Sequence, residues 1–267
     1  MVKVNRDFLK ESYNIDDLVK IVAILRGENG CPWDREQTHK SIRNDLLEEA
    51  YEVADAIDRG DNTDLIEELG DLLLQVVFHS QIGVEEKAFD LNVVADGICK
   101  KLVYRHPHVF ANVKAETSEE VLDNWDKLKK TEKHMSSYTE TLKAVPSAFP
   151  ALMRSQKVQK RAAKSGYDFL SLEDTVLKLE EELKELKEAI IQGDRENAAE
   201  ELGDLIFSAV NTARFLKVDS EEQLSLATEK FISRFEEAEA LANKEGKPLN
   251  TLSPAQLDDL WKRVKEN

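Results

Sequence analysis

Leu46–Leu72 reads LLEEAYEVADAIDRGDNTDLIEELGDL, and Leu179–Leu205 reads LEEELKELKEAIIQGDRENAAEELGDL. A shift of 133 residues lays one on the other without a gap, and 14 of the 27 positions are identical. A duplicated block of this length sets the architecture before any local reading, because each copy is one supersecondary unit. In each copy apolar residues recur at helical spacing on both sides of a Gly-Asp pair, Gly60-Asp61 and Gly193-Asp194. Glycine suits the left-handed position that ends a helix, and aspartate suits the N-cap of the next. Each block therefore reads as an antiparallel helical hairpin.

Counting outward from the turn places the acidic residues. Glu52 and Glu68 stand eight positions before and after Gly60, and Glu49 and Asp71 stand eleven before and after. Residues equidistant from the turn share a height, and residues three apart share a helix face. Four carboxylates then converge about 12–16 Å from the turn, at a rise of about 1.5 Å per residue. Glu182, Glu185, Glu201 and Asp204 repeat the count around Gly193. Asp71 and Asp204 sit in apolar runs, which predicts partial burial. Clustered carboxylates out of water repel and take up protons unless cations neutralise them. An oxygen-only set without His or Cys suits Mg²⁺, with Mn²⁺ as a substitute, and substrate phosphates and water would complete the shell. Gly70 and Gly203, costly inside helices, suggest close helix packing or a ligand near the backbone.

Outward from the blocks, helical periodicity continues over Glu36–Ile57, Asp64–Gln81, Leu172–Ile191, Arg195–Leu216 and Glu221–Ala242, and no strand is convincing. Asp34 and Gln37 fit an N-cap box for the first of these. Fainter echoes flank the blocks. Trp33-Asp34 answers Tyr167-Asp168, Lys101 and Arg105 answer Lys230 and Arg234, and Trp125 and Lys129 answer Trp261 and Lys265. The expected organisation is an all-α fold of two tandem, four-helix-bundle-like domains over residues 1–133 and 150–267, joined by a linker over 134–149.

The 267 residues carry a formal net charge of −16, which argues against a nucleic acid polymer as partner. Two cysteines exclude a disulfide framework. The longest charge-free apolar stretch, Leu72–Val84, is too short to span a bilayer, so no membrane association is expected and the chain reads as cytoplasmic. No GxxxxGK[ST] loop, GxGxxG turn or HExxH helix is present.

Taken with the acidic blocks, Cys31-Pro32-Trp33-Asp34, Arg105-His106-Pro107-His108-Val109-Phe110 and Trp261 make the chain resemble the MazG nucleoside triphosphate pyrophosphohydrolases over nearly its whole length. The resemblance implies two all-α MazG-type bundles, a homodimer, Mg²⁺ dependence, and cleavage between the α- and β-phosphates of a broad range of nucleoside triphosphates. It implies that the C-terminal domain holds the main catalytic site. Glu182, Glu185, Glu201 and Asp204 then correspond to metal ligands, and Lys178, Lys230, Arg234, Trp261 and Lys265 to substrate contacts. The first half keeps Glu49, Glu52, Glu68 and Asp71 for metal, and Lys101, Arg105, Trp125 and Lys129 for substrate. Tyr104 departs from the pattern, standing where many relatives have a second basic residue, so a weaker phosphate grip is expected there. Glu181 or a free oxygen of Glu182 would orient the attacking water. Trp261 either stacks on a base or packs in a core. The remaining alternatives are a hydrolase narrowed to a deoxy or modified nucleotide, and a non-catalytic helical scaffold.

Overall fold

The structure, a computed structural model, describes residues 9–111, 117, 120, 121, 124, 125, 128 and 137–266. Among them every regular element is helical: twelve α-helices and one 3₁₀ turn. The chain divides into two compact units, Met1–Lys129 and Lys130–Asn267.

The first unit contains α1 (Ile15–Arg26), α2 (Pro32–Glu36), α3 (Arg43–Arg59), α4 (Asn62–Glu85), α5 (Leu91–Arg105) and α6 (Pro107–Phe110). Its hairpin is α3 and α4. Gly60 closes α3 at φ 68°, where a side chain would be strained. The Asp61 carboxylate then accepts the Thr63 and Asp64 amides to open α4. The predicted helix from Glu36 breaks instead at residues 37–42. There the Thr38 and Ser41 hydroxyls each take the other's backbone N–H, offering the chain a competitor to the helix. Asp34 accordingly lies in the first turn of α2 rather than at an N-cap, and Trp33 stands 60 % exposed. The core gathers Val22, Ile42, Val77, Phe78 and Ile82. Arg26 lies 5.0 Å over the Phe78 ring and forks onto Glu85 at 2.7 and 2.9 Å, tying α1 to the end of α4.

The second unit contains α7 (Tyr138–Lys143), α8 (Ala151–Ala163), α9 (Leu172–Gln192), α10 (Arg195–Phe215), α11 (Ser220–Lys244), the 3₁₀ turn Leu249–Thr251 and α12 (Pro254–Glu266). Its hairpin, α9 and α10, turns at Gly193 (φ 73°) with Asp194 capping Asn197. The segment read as a linker carries α7, with Thr141 and Val145 buried. Gln156 of α8 ties this unit together: its amide donates to the Val218 carbonyl at 2.7 Å and accepts from both the backbone and hydroxyl of Ser220. A second apolar cluster joins α11 to α12 through Ala238, Ala242, Leu260 and Val264.

Candidate active site

Each hairpin brings three carboxylates to one point. One oxygen each of Glu49, Glu68 and Asp71 lies within 4.8 Å of the others, and Glu182, Glu201 and Asp204 do the same in the second unit. Three of the four acidic residues expected in each half therefore converge. Glu52 and Glu185 fall outside these triplets yet stay in their field: Glu52 raises the pKa of Glu49 and Glu68, and Glu185 raises that of Glu201.

Electrostatics mark both sites. Glu49 and Glu68 are pushed above the usual carboxylate value, first by loss of water and then by neighbouring acids. Glu201 is raised for the same reasons, with Glu185, Glu182 and Asp204 as the repelling groups. Such clusters are relieved by protons or by a cation. Carboxylate oxygens alone, converging and repelling, fit a hard divalent ion.

The partners of the corresponding acids Glu182 and Glu49 differ between the sites. Glu182 is only 6 % exposed, and Lys178 holds it at 2.9 Å while reaching Glu181 at 3.0 Å. The lysine is correspondingly held above its usual pKa, chiefly by its hydrogen bond to Glu182. The matching position in the first half is Asp45, and there Glu49 is met by the buried Gln75 amide. Burial thus falls on Glu182 rather than on Asp204, which is exposed despite its apolar neighbours.

A cavity of about 630 Å³ opens from the second triad. Lys178, Glu182 and Asp204 line one part of it, Phe169 and Phe207 add aromatic walls, and Asp168, Asn211 and Arg214 add a polar group. Sequence reading noticed Asp168 only as an echo of Asp34 and missed Gln75, Gln159, Asn211 and Arg214. Gly70 and Gly203 are not packed: a Cβ on either would meet nothing within 4 Å, so tight helix contact is not their reason.

The other expected substrate contacts lie elsewhere. Lys230, Arg234, Trp261 and Lys265 do not line the cavity by the second triad. Trp261 packs against the α11–α12 cluster, 5.3 Å from the Phe231 ring, and lines a separate apolar pocket. In the first unit the Arg105 guanidinium sits 5.3 Å over the Trp125 ring, so those two meet, while Lys101 is exposed. Lys129 lies outside the described residues.

The family model of the MazG nucleotide pyrophosphohydrolase domain matches twice, at residues 37–110 and 170–238, each match taking in one hairpin and its triad. The chain belongs to the MazG family. A nucleoside triphosphate pyrophosphohydrolase of Escherichia coli K12 is 44 % identical over 256 residues, covering 94 % of this chain and 97 % of that protein. The nucleoside triphosphate pyrophosphohydrolase/pyrophosphatase MazG of Thermotoga maritima is 42 % identical over 250 residues, covering 94 % and 95 %. A nucleoside triphosphate pyrophosphohydrolase of Mycobacterium tuberculosis is 40 % identical over 159 residues, covering 58 % of this chain and 48 % of its own length. The two MazG matches and the absence of any strand among the described residues fit the all-α tandem architecture. No helix among the described residues is long and apolar enough to cross a membrane.

Proposed function

We propose that this MazG-family chain hydrolyses nucleoside triphosphates to the monophosphate and pyrophosphate, using Mg²⁺ held on the carboxylate triads. The observation that carries the reading is the convergence of Glu182, Glu201 and Asp204 within 4.8 Å beside a cavity large enough for a nucleoside. The second unit is taken as the main catalytic site, since its triad adjoins this cavity.

A divalent ion bound there would neutralise phosphate oxygens and lower the pKa of a water that cleaves the anhydride between the α- and β-phosphates. The protein's own contribution is positioning. The α9–α10 hairpin holds three carboxylates ready, with Glu185 adding negative field. Lys178 fixes Glu182 and keeps a positive charge beside Glu181, so the latter's free oxygen can orient the water. Because the carboxylates repel until a cation joins them, the site favours metal together with polyphosphate over either alone. Mn²⁺ would substitute, its ligand chemistry being alike.

A homodimer is part of the proposal. Exposed apolar side chains along α4, α5 and α11, among them Leu73, Val93, Ile98, Phe231 and Phe235, fit burial against a second copy. Lys230, Arg234 and Trp261 are assigned to substrate, to be brought there in that assembly. Such a chain would act on nucleotide pools in the cytoplasm.

The test is product identity. Incubation with ATP, GTP, CTP and UTP plus Mg²⁺ should yield monophosphate and pyrophosphate. Release of orthophosphate and diphosphate, or no turnover, would contradict the reading.

A further inference from the structure

The cavity of the second unit has a polar group that the phosphate chemistry does not use. Arg214 spends its guanidinium on Asp168 through both carboxylate oxygens, Nη1 donating at 2.9 Å. Its Nε and Nη2 donate to Asn211 Oδ1 at 2.9 and 2.7 Å. Arginine can only donate, so the Asn211 amide has one orientation here: Oδ1 faces the guanidinium. Its Nδ2, with two N–H groups, meets no acceptor among the described residues, and Asn211 lines the cavity.

A second observation lies on the same cavity. Gln159 of α8 is 6 % exposed, and its Nε2 donates to the Phe207 carbonyl at 2.8 Å. That bond fixes this amide too, and leaves Oε1 as a buried acceptor with no partner among the described residues. An unmade hydrogen bond at a buried acceptor is costly, so such atoms need a reason. The cavity is therefore lined by Asn211 with its spare amide donor, by Gln159 with its buried, unmatched acceptor, and by Phe169 and Phe207. A flat ring with both acceptor and donor edges matches that combination, and every nucleobase has such edges.

Position agrees. Asn211 is seven residues beyond Asp204 on α10, two turns along the same face and about 10 Å away. With the phosphates at the triad, the nucleoside extends toward Asn211. The counterpart of Asn211 in the first half is Phe78, which is buried in the core.

We infer that Asn211, held by the Arg214–Asp168 pair, recognises the nucleobase of the substrate by donating to an acceptor on the base edge. This rests on the proposed hydrolysis of nucleoside triphosphates. Asp168 and Arg214 are positioning residues; Asn211 touches substrate.

The experiment compares ATP with ribose 5-triphosphate, which lacks a base, on the full chain with Mg²⁺. Asn211→Asp keeps an oxygen toward Arg214 and turns the donor into an acceptor; Asn211→Ala removes both. Thermal melts of both variants accompany the kinetics. The ratio of kcat/KM for ATP to that for ribose 5-triphosphate should fall about tenfold in a folded variant, the worth of one hydrogen bond. A parallel fall for both substrates assigns Asn211 to the sugar or to structure, and overturns the inference. An unchanged ratio overturns it as well. If the unaltered chain cleaves neither substrate, the reading of the reaction falls and this inference with it; loss of the ratio effect alone leaves that reaction standing.

Discussion

The two hairpins share their turn, their triad and half the residues between, yet they differ in what surrounds the acids. In α3–α4 Glu49 is met by a neutral amide, and Phe78 fills the space two turns beyond Asp71 with core. In α9–α10 the equivalent Glu182 is met by Lys178, and Asn211 stands where Phe78 stands, beside a cavity. The lesson is that a duplicated frame of carboxylates does not carry the adjoining cavity with it. Acids at fixed helical spacing survive duplication as a unit, whereas the pocket depends on a third element, α8 in the second unit, and on which residues α10 turns toward it.

The asymmetry can be broken most forcefully at the acids. Glu201→Gln and Asp204→Asn should each lower pyrophosphate release by at least about a hundredfold, with far-ultraviolet circular dichroism unchanged. Glu68→Gln and Asp71→Asn should cost far less. Equal losses from the two hairpins would mean that both sites turn over substrate and that the cavity is not what separates them.

Stability offers a smaller effect. Lys178→Met leaves Glu182 buried without its cation and should destabilise the second unit by about 1–3 kcal/mol in denaturant unfolding. Asp45→Asn, the matching change in the first unit, should stay within about 0.5 kcal/mol.

Smaller still is a metal-linked pH effect. Glu49, Glu68 and Glu201 have folded pKa values raised by desolvation and mutual repulsion. The folded chain thus binds these protons more tightly than the unfolded one. Their contribution to stability is complete below about pH 4.5 and is lost as pH climbs through the raised values. A divalent ion replaces the proton, so the Tm gain on adding Mg²⁺ should be largest at pH 7 and vanish near pH 4.5. The gain, rather than the raw Tm, is the readout. Asp17, Glu85 and Glu245 are lowered by Lys10, Arg26 and Arg263 and so favour the folded state as pH rises.

The least effect belongs to the first unit alone. His39 and His79 share a 2.8 Å contact between their Nδ1 atoms, and His79 is lowered first by burial and then by His39. The unfolded chain binds that proton more readily, so stability is full above about pH 6.5 and declines as pH falls toward the lowered value. His79→Gln should flatten this slope in the first unit.

Much of this was legible in the residues. Gly60-Asp61 and Gly193-Asp194 fold where their backbone preferences say, and the observed Leu172–Gln192 and Arg195–Phe215 match the expected helices to within a residue. Spacing also placed the acids at one height. It did not tell which of Glu49 and Glu52, or of Glu182 and Glu185, completes a triplet, because a three-residue step still rotates a side chain around the helix. The break at residues 37–42 was hidden because hydroxyl–backbone bonds overrode a helical pattern. The Asn211 wall was hidden for a different reason: Gln159 and Phe207 are 48 residues apart, and only the packing of α8 on α10 joins them.

The most direct test is Mn²⁺ binding to the full chain, followed by electron paramagnetic resonance. If paired helices converge their acids on a hard cation, Asp204→Asn should remove one class of bound Mn²⁺, and adding Asp71→Asn should remove the remainder. Undiminished Mn²⁺ binding in the double variant would show that the carboxylates of the two hairpins are not ligands.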